Sequence, residues 1–346
     1  MGKLKVGLIG TGEIAQVAHI PAYRKRSEEV EIVALVNRSR EKAEEIAAQY
    51  GISNVFTSHK EMFEACELDA VSVCTPNRSH AAMVIDALHA GCHVLCEKPP
   101  ALHASDAEAM AAAAARSGRM LAYNFSFRYS SEVEALKRYA DAGELGHIYA
   151  ARVEAMRRRG IPGWGSFTNK ELQGGGPLID IGIHMLDTAL YLMDFPEPAS
   201  VLAATHQQIG NRPGVGLMGS WDPEAFTVED AAMGMIRFKN GASLLLETSF
   251  AINMREKQTM NVHLFGNQGG ATVFPPAFFQ EKHGSLVDLS LPFIVEHDKR
   301  QRAVDDFITC CLEGKTPRCT AEQGVQIMRL IDAFYQSAET GEAVYL

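Results

Sequence analysis

The sequence predicts an α/β protein in two parts, a domain on a parallel sheet followed by an α+β domain with a mixed or antiparallel sheet. Three observations carry this. The chain has 346 residues, enough for about two domains with sizeable cores. Over residues 1–124 short apolar runs alternate with amphipathic helical patterns, a rhythm that implies parallel strands covered on both faces. From residue 125 to 346 the rhythm changes to successive strand-like runs with helices before and after them, the layout of an α+β domain.

In the first part the strand-like runs are Val6 to Ile9, Ile32 to Val36, Ala70 to Cys74, His93 to Cys96 and Met120 to Tyr123. Helices fill the gaps, with Ser58 and Glu61, and Ser105 and Glu108, spaced as capping boxes and a stop at Gly118. The second part opens with a helical stretch, Ser131 to Ala142, then a strand, His147 to Met156. A turn at Gly174 to Gly176 leads into a helix from about Asp180 to Leu192. Strand-rich runs follow at Val201 to Gln207, Phe226 to Phe238, Ala242 to Ile252 and Thr259 to Phe265, and helices at Val295 to Cys311 and Ala321 to Ser337 close the chain.

Composition narrows the function. Apolar residues make up 47% and charged residues 22%, with a net charge of −9, so disordered and fibrous classes fall away and a polyanionic partner such as nucleic acid is disfavoured. The one basic cluster, Arg157-Arg158-Arg159, is read as a solvated strand end. Seven cysteines, with no Cys-x-x-Cys pair and no zinc-ligand spacing, point to reduced thiols in a cytoplasmic protein. No signal peptide or membrane-spanning run is expected, and no metal.

The chemistry begins at Val6-Gly7-Leu8-Ile9-Gly10-Thr11-Gly12-Glu13-Ile14-Ala15, a strand running into Gly-x-Gly-x-x-Ala and a helix. Gly10 permits a tight turn, Gly12 lets backbone approach a pyrophosphate, and Ala15 allows close helix–strand packing. At the head of a βαβ pattern this is a Rossmann dinucleotide loop, with Gly10, Thr11, Gly12, Glu13 and Ile14 as candidate cofactor contacts. The second strand ends Val36-Asn37-Arg38-Ser39-Arg40, without the carboxylate that usually receives the NAD ribose; Glu31 lies at the strand's start. Neutral Asn37 with Arg38, Ser39 and Arg40 suits a 2′-phosphate, which favours NADP over NAD.

Further along, Glu97, Lys98 and Pro99 sit at the carboxyl end of a central strand, where open α/β sheets place ligands. On the helix after Gly174-Gly175-Gly176-Pro177, Asp180 and His184 are one turn apart, and Asp187 and Tyr191 extend that polar stripe through otherwise apolar sequence. A polar stripe on a buried helix needs partners or a cavity. The glycines before it permit close approach of another domain.

Together, the glycine loop, the Glu97-Lys98-Pro99 turn and the Gly174 to Asp187 segment resemble the Gfo/Idh/MocA oxidoreductases, over essentially the whole chain. The resemblance implies a Rossmann domain at 1–124 and, at 125–346, a C-terminal domain whose large open sheet binds substrate and forms homodimers or homotetramers. It implies NAD- or NADP-dependent hydride transfer at an alcohol or ketone of a sugar, cyclitol or polyol. His184 would be the acid/base, with an intrinsic pKa of about 6.5; Lys98 would stabilise the alkoxide, and Asp180 would orient hydroxyls. Thr75-Pro76-Asn77 resembles the turn beside the nicotinamide ribose, and Glu97 joins the cofactor set. Arg128 resembles a site-lining arginine, with a surface ion pair as the alternative, and Trp164 on its glycine-rich loop suits stacking on a sugar face, with a hinge or interface anchor as the alternative. The Lys98-Pro99 bond is expected to be cis, as in several relatives. Within the family, an aldose–ketose oxidoreductase would carry an N-terminal arm, whereas the first strand here starts almost at once. A non-catalytic NADP-binding regulator is disfavoured by Lys98, Asp180 and His184 occurring together.

Overall fold

A computed structural model describes residues 2–346, which divide into two compact units. The first holds the residues up to Ser126 together with 298–328. Its strands are β1 (Leu4–Ile9), β2 (Val30–Val36), β3 (Asn54–Phe56), β4 (Ala70–Val73), β5 (His93–Cys96) and β6 (Leu121–Tyr123). They form one parallel sheet in the order β3-β2-β1-β4-β5-β6. The order reverses between β1 and β4, and crevices open at the carboxyl ends beside such a point. β1 is buried apart from Lys5, as expected of a strand covered on both faces.

A π-helical turn (Ala15–His19) runs from the loop after β1 into α1 (Ile20–Lys25), and α2 (Arg40–Tyr50), α3 (His59–Ala65), α4 (His80–His89) and α5 (Ala104–Ser117) complete the alternation. The Ser39 side chain caps α2 by accepting from the Lys42 amide. The expected capping boxes do not form: Ser58 makes no side-chain cap bond, and Ser105 lies inside α5, which starts one residue earlier. Gly118 does end α5, in the left-handed conformation at φ 64°. The short, partly exposed β3 had no apolar run to announce it.

The expected division at 124/125 misses one rearrangement. The helix Lys299–Glu313 belongs to the first unit, where Val304, Phe307 and Ile308 share a core with Leu8, Leu35 and Leu95. An amphipathic pattern shows that a face will be buried but does not name what buries it.

The second unit comprises 127–297 and 329–346. After α6 (Ser131–Asp141), capped by Ser130, come β7 (Ile148–Arg157), α7 (Lys170–Gln173), a π-helical turn (Leu178–Gly182) and α8 (Ile183–Leu192). Then follow β8 (Pro198–His206), β9 (Ala231–Phe238), β10 (Ser243–Ser249), β11 (Gln258–Gly266), β12 (Gly270–Thr272), β13 (Ala277–Lys282) and β14 (Ser285–Ser290). The remaining elements are α9, the helix Lys299–Glu313 already placed, α10 (Ala321–Thr340) and β15 (Val344–Tyr345). The sheet runs β14-β13-β12-β11-β7-β10-β9-β8-β15, with β7 and β10 parallel and the other pairs antiparallel. This is the mixed sheet expected, enlarged by strands β12 to β15 that the sequence pattern did not announce.

One face of this sheet is packed under α8, with Val153, Ala155, Leu244, Leu246, Val262 and Leu264 buried. On the other face, Leu202, Met235 and Leu245 stand in one cross-strand row and are 53%, 43% and 43% exposed. Among the described residues no helix is long and apolar enough to cross a membrane, and all seven cysteines are free thiols.

Candidate active site

In the first unit a cavity of about 850 Å³ opens beside the loop after β1, walled by residues that include Gly10, Thr11, Gly12, Asn37, Arg38 and Thr75. Gly10 holds φ +93°, and a Cβ there would lie 2.6 Å from the Cys74 carbonyl oxygen, so the turn requires glycine. At Gly12 a Cβ would meet nothing within 4 Å, which leaves space for a group pressed against backbone. Thr75 Oγ1 is buried with no hydrogen-bond partner. Such an atom carries a cost until a ligand or water supplies one. An empty margin at Gly12 and an unsatisfied hydroxyl at Thr75 fit a dinucleotide.

At the end of β2 the Asn37 side-chain amide donates to Thr11 Oγ1 at 2.8 Å. Arg38 is exposed and lines the cavity, joined by Lys42 and Glu45 of α2. Arg40 instead pairs with Glu44 at 2.8 Å, and Ser39 is occupied as a helix cap. Glu13, Ile14 and Asn77, expected as cofactor contacts, are not part of the cavity wall, whereas Pro76 is.

The Lys98-Pro99 bond is cis, as expected. Lys98 is half-buried and Glu97 buried. Glu97 was expected at the cofactor, but its carboxylate turns inward: Oε1 lies 2.8 Å from His19 Nε2 and accepts from Asn124 Nδ2 at 2.6 Å. Oε2 accepts from the Lys98 backbone N–H at 3.3 Å. Burial opposes charge on both partners, yet Cys74 and Glu97 hold the His19 imidazolium up to about 10, and His19 and Asn124 hold Glu97 below the usual carboxylate range.

In the second unit the polar stripe divides. Asp180 and His184 are half-buried while the neighbours between them and around them are buried. Asp180 lies in the π-helical turn and His184 in the first turn of α8; such turns recur at functional sites. The turn is braced from within its own unit. The Gly176 and Leu178 amides donate to Glu229 at 2.9 and 3.1 Å, and Tyr335 donates its hydroxyl to the same carboxylate. A Cβ at Gly176 would lie 2.2 Å from the Glu229 carbonyl oxygen. The close approaches at Gly175 and Gly176 are to Tyr335 and Glu229, inside the unit. Phe127 lies against the His184 ring, centroids 5.2 Å apart.

Asp187 and Tyr191 face elsewhere. Arg128 is fully buried and grips Asp187 through Nε at 3.1 and 3.0 Å and Nη2 at 2.5 Å, with its guanidinium 5.1 Å from the Tyr191 ring and 4.8 Å from Phe195. Of the two expectations for Arg128, the ion pair is the one seen, but buried rather than at the surface. Trp164 is 49% exposed and meets Phe167 edge-on at 6.3 Å.

The solvated reading of the arginine cluster also fails at its first member. Arg157 shares the inner face of β7 with the buried Val153 and Ala155. Its Nη1 donates to the Gly160 carbonyl at 3.3 Å, while Nε is buried without a partner. Burial lowers its guanidinium pKa and the nearby Asp180 charge raises it, with burial the stronger. His19 carried no sequence signal, because an isolated polar residue on an apolar pattern looks the same whatever it meets, and Arg157 showed only as one of three adjacent arginines.

Known proteins resemble this chain over nearly its whole length. A profile of an oxidoreductase family, its NAD-binding Rossmann fold, matches residues 4–125. The C-terminal alpha/beta domain of an oxidoreductase family matches residues 137–346. D-glucoside 3-dehydrogenase of Escherichia coli strain K12 is 44% identical over 343 residues, 99% of this chain and 97% of that protein. 1,5-Anhydro-D-fructose reductase of Ensifer adhaerens is 32% identical over 345 residues, 97% of each. Among solved structures, an oxidoreductase domain protein from Kribbella flavida has a TM-score of 0.88 at 26% identity, covering 100% of this chain and 99% of that one.

Proposed function

The chain belongs to the Gfo/Idh/MocA oxidoreductase family, and from that premise we propose that it moves a hydride between a nicotinamide dinucleotide and a secondary alcohol or ketone of a sugar, cyclitol or related polyol. As a member it is an enzyme, a nicotinamide-dependent dehydrogenase or reductase. The observation that carries the substrate class is the full-length likeness to D-glucoside 3-dehydrogenase, which favours a glycoside hydroxyl.

Each residue has a task. Bound nicotinamide supplies or takes the hydride. His184 receives the hydroxyl proton during oxidation and returns it during reduction, a role suited to an imidazole. Lys98 presents a positive charge to the oxygen as it becomes an alkoxide. Asp180 accepts from a neighbouring hydroxyl, and Arg157, on the facing strand, donates to an adjacent oxygen. Trp164 stacks on the sugar face. In the first unit, Gly10, Gly12 and Thr75 hold the dinucleotide phosphates and ribose, and Arg38 with Lys42 receives a 2′-phosphate, so NADP is preferred. The test is nicotinamide absorbance on glucosides, polyols and their keto derivatives. Lys98→Met and His184→Asn are each expected to lower kcat by about 10²- to 10⁴-fold while NADPH binding, read by fluorescence, is retained. Wild-type turnover in either variant refutes its role.

The exposed row of Leu202, Met235 and Leu245, beside the charged group Arg152, Glu154, Glu247 and His263, is the face through which two copies associate. Leu245→Glu should shift the sedimentation mass to that of a monomer; an unchanged mass would place the interface elsewhere.

A further inference from the structure

Behind Lys98 stands a buried charged cluster that the chemistry above leaves unused. His19 is fully buried at the end of the π-helical turn that leaves the glycine loop. Both ring nitrogens are engaged, Nδ1 with Ser72 Oγ at 3.0 Å and Nε2 with Glu97 Oε1 at 2.8 Å, and Ser72 Oγ is in turn 2.7 Å from the Tyr23 hydroxyl. The imidazole therefore cannot rotate without leaving buried groups unsatisfied. From the other side Asn124 donates to the same carboxylate oxygen at 2.6 Å, while its backbone N–H is bonded to the Cys96 carbonyl at the end of β5. With Oε1 held from two directions, Glu97 offers Oε2 to the Lys98 backbone N–H.

We propose that His19, Glu97 and Asn124 are positioning residues that fix the Lys98 turn and tie it to the helix of the dinucleotide loop. The proposal rests on Lys98 acting on substrate oxygen. The geometry favours this over a purely stabilising role. A buried ion pair is weak evidence of net stability, whereas this one joins the loop helix, β4, β5 and β6 at the residue immediately before Lys98. A displacement of about 1 Å at a reacting group can cost about 10²-fold in rate.

Glu97→Gln keeps the volume but presents an amide donor to groups that already donate. It is expected to lower kcat by about 10- to 100-fold, leave the dissociation constant for NADPH within about 3-fold, and raise the primary deuterium isotope effect on kcat as hydride transfer becomes limiting. A merely structural role would lower the folded fraction without changing the isotope effect. If Glu97→Gln does not fold, Asn124→Ala carries the test, with a smaller fall in kcat and the same rise in isotope effect. In a Lys98→Met background Glu97→Gln should add no further loss. Wild-type kcat and isotope effect in Glu97→Gln or Asn124→Ala, or fully additive losses with Lys98→Met, would overturn the proposal. Turnover surviving in Lys98→Met alone would instead overturn the role of Lys98, so the two failures are distinct.

Discussion

Replacing Arg128 by Met should unfold the second unit far more readily than any loss of a substrate contact would require. Both side chains of the Arg128–Asp187 pair are 0% exposed, and three N–O contacts of 2.5 to 3.1 Å join them. Removing the guanidinium, which lies over the Tyr191 and Phe195 rings, leaves a fully buried carboxylate without its charge partner, where burial already pushes the Asp187 carboxyl up. Breaking such a pair costs about 3–5 kcal/mol. A domain of this size loses about 2–4 °C of Tm per kcal/mol, so the expected drop is about 6–20 °C by calorimetry. Arg128→Met/Asp187→Leu removes both charges and should recover most of that loss, since apolar replacement of a buried pair is often neutral or better. In the double variant KM for the sugar should stay within about 2-fold of wild type. The reasoning is refuted if the single variant melts like wild type, or if the double variant regains its Tm while KM rises tenfold.

The remaining expectations concern the two candidate sites. Arg157→Met should raise KM about 10- to 100-fold through loss of a charge-assisted hydrogen bond, with Lys restoring part of it and NADPH affinity unchanged; an unaltered KM would return Arg157 to the structural residues. Gly10→Ala forces a Cβ onto the Cys74 carbonyl at a positive φ and should weaken NADPH binding at least tenfold by fluorescence titration, whereas wild-type affinity would mean the loop bends without consequence. Asn37→Asp places a carboxylate beside Arg38 and should move the kcat/KM ratio toward NAD; no movement would refute the assignment of that end of the cavity. His19 is raised from 6.5 to about 10, so its contribution to stability is complete below about pH 6.5 and is lost as pH rises toward 10. Tm should therefore fall across that window, and less steeply in His19→Gln; parallel curves would show that His19 is not the group responsible.

Sequence alone determined what is local or periodic. The glycine at position 10 was legible because a positive φ is a demand on one residue, and the alternation of buried strands and helices because burial on both faces leaves an apolar run. Asp180 and His184 stood out for a similar reason, as polar residues one turn apart on an apolar helix. Tertiary structure decided whatever depends on a partner distant in the chain. Asp187 belongs to the same stripe, yet its carboxylate is taken by Arg128, 59 residues away, and Glu97 is taken by His19, 78 residues away. Arg157 and its two neighbours are one basic run in sequence, but the pleat of β7 turns Arg157 inward beside Asp180 and leaves Arg158 in solvent. The physical reason is that spacing along a chain specifies which face a side chain occupies, while its charge state, its partner and hence its chemistry follow from what the fold packs against that face.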